Sequence, residues 1–244
     1  MRLRSRPGQI RSAGILGVVA SCLPAAMQRR RKNLLLVYQR LFDHYGSQHW
    51  WPAESPFEVM VGAILTQNTA WSNVEKAIAN LRARNRLEAA TIAATRMDHL
   101  ANWLRPSGYF NVKATRLKHF CRWYEQAGGF RCLSLTASDE LRLMLLSVNG
   151  VGPETADDIL LYAFQRPVFV IDAYTRRLLL RLQLFAGNES YDTLRIAIES
   201  ALGPDVALFN EYHALIVRHA SEVCRARPRC GDCFLRGYCP TGAK

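Results

Sequence analysis

The chain has 244 residues, 49% hydrophobic and 21% charged, with 32 Lys and Arg against 20 Asp and Glu, a formal charge of +12. That length supports one or two compact units with a sizeable core, and that balance excludes an intrinsically disordered chain. The positive charge points to a polyanionic partner only weakly, because eight of the basic residues and no acid lie in residues 1–32, leaving 24 basic against 20 acidic residues for the rest.

In residues 1–32, arginines precede an apolar run from Ala13 to Ala20, followed by Ser21 and Cys22. The order is shared with secretory and lipoprotein signals, and the lack of acids with organellar transit peptides. A third reading places the start of synthesis at Met27. The third is favoured, because everything recognisable begins near Asn33, and residues 1–32 are expected to be a disordered extension or to lie upstream of the start. The apolar run is too short to cross a membrane, which takes about 20 residues.

From Asn33 the pattern is helical. Leu34, Leu35, Tyr38, Leu41 and Phe42 recur at helical spacing across Asn33 to Tyr45. Ser55-Pro56-Phe57-Glu58 combines a capping box with proline at the first helical position, and predicts a helix through Val59, Val61, Ile64 and Leu65. Further helices are predicted over Asn73 to Leu81, Met97 to Leu104, Lys113 to Gln126 and Ser138 to Leu146. Then come Thr155 to Phe164, Ala173 to Leu184, Tyr191 to Leu202 and Val206 to Glu222. No convincing period-2 strand appears, and Val168 to Ile171 reads as an extended connector. The fold class is all-α.

Seven cysteines, three scattered and four clustered, argue against a disulfide framework and for a reducing compartment with a metal site. Cys224, Cys230, Cys233 and Cys239 form C-x5-C-x2-C-x5-C. Four thiolates in sixteen residues suit a [4Fe–4S] cluster, with zinc as the alternative, although structural zinc sites more often pair two C-x2-C knuckles. Arg225, Arg227, Arg229 and Arg236 would set cationic groups near a polyanionic backbone. The six histidines show no zinc-ligand pairing.

The most informative stretch is Val148-Asn149-Gly150-Val151-Gly152-Pro153-Glu154-Thr155-Ala156, with Asp172 ending the apolar run Val168-Phe169-Val170-Ile171. Alternating glycines bring backbone N–H groups close to a ligand at a helix start, which suits a phosphate. The segment resembles the helix-hairpin-helix (HhH-GPD) of the endonuclease III superfamily of DNA glycosylases. In that family the hairpin is followed by a catalytic aspartate, here Asp172, and the C-terminal cysteines hold a [4Fe–4S] cluster, usually with a first gap of six residues rather than five.

The resemblance implies a six-helix barrel carrying the hairpin over residues 52–166, and a cluster domain from 33–51 plus 167–244, flanking a DNA cleft. It makes Gln67, in Thr66-Gln67-Asn68-Thr69, and Tyr109, in Gly108-Tyr109-Phe110-Asn111-Val112-Lys113, candidates to fill and wedge the duplex around a flipped nucleotide. Asn111, Lys113, Gly150, Val151 and Gly152 are expected at the DNA. The plainer reading is that Gln67 caps a helix end and Tyr109 packs in a turn.

Glu154 occupies the position where lyase members carry a lysine, and no lysine occurs between Lys118 and Lys244. Without that amine no Schiff base forms by the usual route. An acid there also suits a helix first turn. Trp51 and Trp71 match aromatic positions of the 3-methyladenine glycosylase III branch, where they line the base pocket and attract cationic purines; the alternative is that both are packing residues. The expected function is a monofunctional DNA glycosylase of base excision repair, hydrolysing out an alkylated purine. A bifunctional lyase on oxidised pyrimidines and a catalytically inactive damage binder are the alternatives. The expected partner is double-stranded DNA with a damaged base, the state a monomer, and the place the nucleoid-associated cytoplasm.

Overall fold

The computed structural model describes residues 24–51 and 53–242. The readings made for residues 1–23, including Cys22, lie outside the described residues. The fold is all-helical, with twelve α-helices and no strand among the described residues. None of these helices is long and apolar enough to cross a membrane.

Helix α2 (Pro56–Leu65) is the core of one group of helices. Ser55 caps it by accepting a hydrogen bond from the Glu58 N–H at 3.2 Å, with Pro56 in the first turn. The Glu58 carboxylate accepts from the Glu54 N–H instead of from the cap residue, and pairs with Arg82 at 2.8 Å. From Glu58 to Leu65 every residue is buried. Each fully buried aliphatic side chain contributes roughly 1.5–3 kcal/mol. Around α2 pack α3 (Trp71–Arg82), α6 (Phe110–Gln126) and α9 (Pro153–Asp158). Short helices α4 (Ala89–Ala94) and α5 (Met97–Trp103) lie on α6, α7 (Gly129–Leu135) also contacts it, and α8 (Ser138–Leu146) leads into the hairpin before α9.

The second group joins α1 (Ala25–Tyr45), α10 (Ala173–Arg181), α11 (Tyr191–Leu202) and α12 (Val206–Glu222). Helix α1 starts eight residues before the predicted Asn33. Its extra turns are anchored because Arg31 donates to the carbonyls of Ala201 and Leu202, at 2.9 and 2.6 Å, capping the end of α11. Helices α4 and α7 were not foreseen; both are under eight residues and hold their shape through packing on α6.

Helix α9 does not run on as regular α-helix. Residues Ile159–Ala163 form a π-type turn, which packs on both α2 and α12 and so joins the two groups. The extended connector 167–171 follows as expected, its Val168, Phe169, Val170 and Ile171 all buried.

Candidate active site

Asp172 ends the buried connector and caps α10, its Oδ1 accepting from the Thr175 N–H at 2.7 Å. It is only 9% exposed. Burial alone would push its carboxyl up; the facing His213 and the Thr175 N–H outweigh that and hold it below the ordinary carboxylate range. His213, on α12, places Nε2 3.6 Å from Asp172 Oδ2, too long for a direct hydrogen bond but close enough for charge interaction. Its other nitrogen, Nδ1, shares a hydrogen bond with the Tyr162 hydroxyl on the π-type turn. When Tyr162 donates, Nε2 carries the hydrogen that faces Asp172. Asp172 thus caps α10 with Oδ1 while its Oδ2 faces His213.

Asp172 and His213 line a cavity with Trp50, Trp51, Trp71, Tyr174, Glu154 and Asp158. Trp51 stands edge-on to Trp71, ring centroids 4.9 Å apart, and leans on Tyr162 at the same separation. Both indoles lie over Gly62, where a Cβ would come within 3.1 Å of Trp51 and 3.2 Å of Trp71. The tryptophans therefore line the cavity and pack as well. Trp71 donates Nε1 to Glu75 at 3.0 Å, whereas the Nε1 atoms of Trp50 and Trp51 are buried without a partner.

Glu154 sits in the first turn of α9 and stays open to solvent at the cavity mouth. Crowding by protein and then the Asp172 charge push its carboxyl up, with His213 opposing. Among the described residues no lysine lines the cavity.

The hairpin precedes α9. Gly150 has φ +93°, and a Cβ there would meet Arg116 Cγ at 2.3 Å, so the position requires glycine. Val151 turns its side chain into the core. Gly152, at φ −95°, has nothing within 4 Å of a Cβ position and leaves the loop tip clear. Gln67 is tied to the same loop: its amide donates to Gly150 O and Thr155 Oγ1, both at 3.0 Å, and its carbonyl accepts from Arg116.

The glycine hairpin leads, twenty residues after Gly152, to the buried Asp172, and the stretch holding both is similar to known proteins. The model of the HhH-GPD superfamily of base excision DNA repair proteins matches residues 61–204. MJ1434 of Methanocaldococcus jannaschii, assigned to the DNA repair glycosylases, is 46% identical over 206 residues, covering 83% of this chain and 94% of that protein. The chain belongs to the HhH-GPD superfamily. Endonuclease III of Thermotoga maritima is 28% identical over 185 residues, 75% of this chain and 82% of its own length. In structure, H. pylori 3-methyladenine DNA glycosylase (MagIII), bound to 1,N6-ethenoadenine, superposes with TM-score 0.66 at 27% identity, covering 81% of this chain and 97% of that one. Endonuclease III in a non-covalent DNA complex gives TM-score 0.75 at 19% identity, covering 87% and 96%, and shows the shared fold.

Within this HhH-GPD chain the second loop exposes two of its expected residues and buries a third. Tyr109 is 72% exposed in a left-handed conformation (φ 44°) before α6, and Asn111 is exposed in the first turn. Lys113 requires a correction. It is 1% exposed and donates Nζ to Leu65 O and Ser107 O, at 2.8 and 2.6 Å. Burial, and secondarily Arg116, lowers it to about 8. Lys113 cannot reach a phosphate from there. Because α6 starts at Phe110 and not at Lys113, the lysine falls on the inner face of the first turn. There it ties the end of α2, next to Gln67, to the turn before Tyr109.

The four clustered cysteines line one small cavity together with Arg181 and His219. Among the described residues no three His, Cys, Asp or Glu side chains converge on a single metal ion. Helix α10, which begins at Asp172, clamps this loop with its far end: Arg177 donates to Cys224 O, and Arg181 to Cys224 O, Arg225 O and Ala226 O, with Cys224 Sγ at 3.2 Å.

His213, Tyr162 and Asp158 are the site residues that sequence reading missed or undervalued. The i, i+4 spacing of Glu154, Asp158 and Tyr162 was the signal that could have placed them on one face.

Proposed function

We propose that this HhH-GPD protein is a monofunctional DNA glycosylase that removes an alkylated purine flipped into the tryptophan-lined cavity. The observation that carries the reading is the pairing of an ionised, buried Asp172 with a carboxylate, Glu154, where a lyase would need an amine. Cleaving the N-glycosidic bond develops positive charge on the sugar, which the Asp172 carboxylate stabilises, while water completes the hydrolysis. His213 holds Asp172 in its charged form. Trp50, Trp51 and Trp71 with the Asp172 and Glu154 carboxylates make a cavity suited to a cationic base, the character of an alkylated purine.

DNA is the partner in this reading. The N–H groups around Gly150, Val151 and Gly152 hold a phosphate at the start of α9, and Asn111, in the loop of Tyr109, contacts the DNA as well. Tyr109 is the wedge. Gln67 would fill the gap left by the base after exchanging its bonds to the hairpin for bonds to the opposite strand. Residues 52–166 form the barrel unit, 33–51 with 167–244 the second. Cys224, Cys230, Cys233 and Cys239, which line one cavity, fit a [4Fe–4S] cluster better than zinc, since their spacing lacks the paired C-x2-C knuckles of most structural zinc sites. Such a cluster when bound organises the loop that braces α10. The enzyme acts as a monomer in the nucleoid-associated cytoplasm.

The test is chromatography of bases released from methylated DNA and, separately, from DNA with oxidised pyrimidines. Release of methylated purines alone supports the reading; release of oxidised pyrimidines alone contradicts it. Asp172→Asn should lower release at least about a hundredfold with DNA affinity retained. An inactive damage binder would show no release with either chain.

A further inference from the structure

Glu154, Asp158 and Tyr162 follow at four-residue intervals along α9 and its π-type continuation. Glu154 stands at the cavity mouth, Asp158 in its wall, and Tyr162 behind the Trp51 ring, bonded to His213. The neighbouring Asp157 is turned the other way, onto Arg142 at 2.6 Å and Arg195 at 3.8 Å. Asp158 has no such cation. It is 5% exposed, lines the cavity, and among the described residues no donor meets its carboxyl. The cavity side also holds buried donors without partners, His213 Nε2 and the Trp50 and Trp51 indoles.

A buried carboxyl that lacks a cation and has acids for neighbours keeps its proton. Burial first, then the charges of Glu154, Asp172 and Asp157, push Asp158 well above the ordinary carboxylate range. A carboxylic acid presents a donor and an acceptor side by side. The Hoogsteen edge of adenine offers the complement, N7 as acceptor beside the N6 amine as donor, whereas guanine offers two acceptors, N7 and O6.

We propose that Asp158 is the specificity-determining residue of the base pocket, reading the donor–acceptor edge of an adenine-type base with its hydroxyl on the ring nitrogen and its carbonyl oxygen on the exocyclic amine. The assignment rests on the alkylated-purine reading and deepens it. Guanine lesions place O6 against the Asp158 carbonyl oxygen, an acceptor facing an acceptor, and are disfavoured.

The test uses the full-length protein and DNA treated with a methylating agent, resolving 3-methyladenine from 7-methylguanine above the uncatalysed background. The wild type favours 3-methyladenine. Asp158→Ala lowers the ratio of 3-methyladenine to 7-methylguanine about tenfold, the scale of one bidentate base contact. Asp158→Asn, which keeps a donor beside an acceptor, holds the ratio within about twofold of wild type.

The pH profile adds a readout that a merely structural role would not move. The groups facing Asp158 are Glu154 and Asp157 on α9, Asp172 at the start of α10, His213 on α12 and Tyr162 on the π-type turn. All remain in Asp158→Asn. Wild-type release of 3-methyladenine therefore falls on the alkaline side as Asp158 loses its proton, and the Asn variant lacks that fall. Equal loss in Asp158→Ala and Asp158→Asn, or an unchanged base ratio in both, overturns the assignment. Release of 7-methylguanine as fast as 3-methyladenine by the wild type overturns it while leaving the alkylated-purine reading standing. No release of any methylated purine overturns both.

Discussion

His213 Nε2 lies 3.6 Å from Asp172 Oδ2 and, though buried, has no hydrogen-bond partner. In the proposed mechanism the relationship sets the acid side of the pH dependence. In the proposed hydrolysis Asp172 works as a carboxylate, and its neighbours hold it below the ordinary carboxylate range. Base release should stay level as pH falls from neutrality and drop only below that range. His213→Gln removes the main stabiliser of the charged form, so the acid limb should move to higher pH. A pH–rate profile under single-turnover conditions checks this; an unmoved limb would assign His213 to packing alone.

The two hairpin glycines should behave differently. Gly150→Ala meets both the positive φ and Arg116, and should lower stability by about 1–3 kcal/mol in thermal unfolding. Gly152→Ala meets nothing within the protein. It should leave the melting temperature nearly unchanged and weaken DNA affinity. Loss of stability without loss of affinity in Gly152→Ala would remove the phosphate from this loop.

Lys113→Met separates a structural lysine from a DNA contact. Losing the bonds to Leu65 O and Ser107 O should destabilise by about 2–4 kcal/mol. Plots of log affinity for DNA against log salt should keep their slope. A phosphate contact would lower the slope by about one.

Arg142 meets the fully buried Asp157 at 2.6 Å and reaches Asp192 at 2.8 Å, joining α8, α9 and α11 beneath the hairpin. Arg142→Leu strands a buried acid and should destabilise by about 3–5 kcal/mol. Sign follows from linkage: burial raises Asp157 even with its arginines present, and removing Arg142 raises it further. The added destabilisation should therefore be largest above the ordinary carboxylate range and shrink as the acid is protonated at lower pH. Denaturant melts at neutral and acidic pH measure it.

Local chemistry carried much of this reading. Ser55 and Pro56 mark the start of α2 in the sequence, and the spacing of Gly150, Gly152 and Asp172 marks the hairpin and the acid. What failed depended on tertiary packing. Lys113 beside a glycine loop looks like a phosphate contact until the earlier start of α6 turns it inward. Helices α4 and α7 lack the length for a periodic signal and form against α6. Asp158 and His213, 55 positions apart, share a cavity only because the π-type turn packs on both α2 and α12.

The most direct measurement of the central claim scores strand breaks in methylated DNA before and after alkali, with borohydride present in a parallel reaction. A monofunctional enzyme with Glu154 at the lyase position leaves intact abasic strands, so breaks appear only after alkali and no protein–DNA adduct is trapped. Breaks without alkali, together with a borohydride-trapped adduct, would show a Schiff base from an amine and contradict the account.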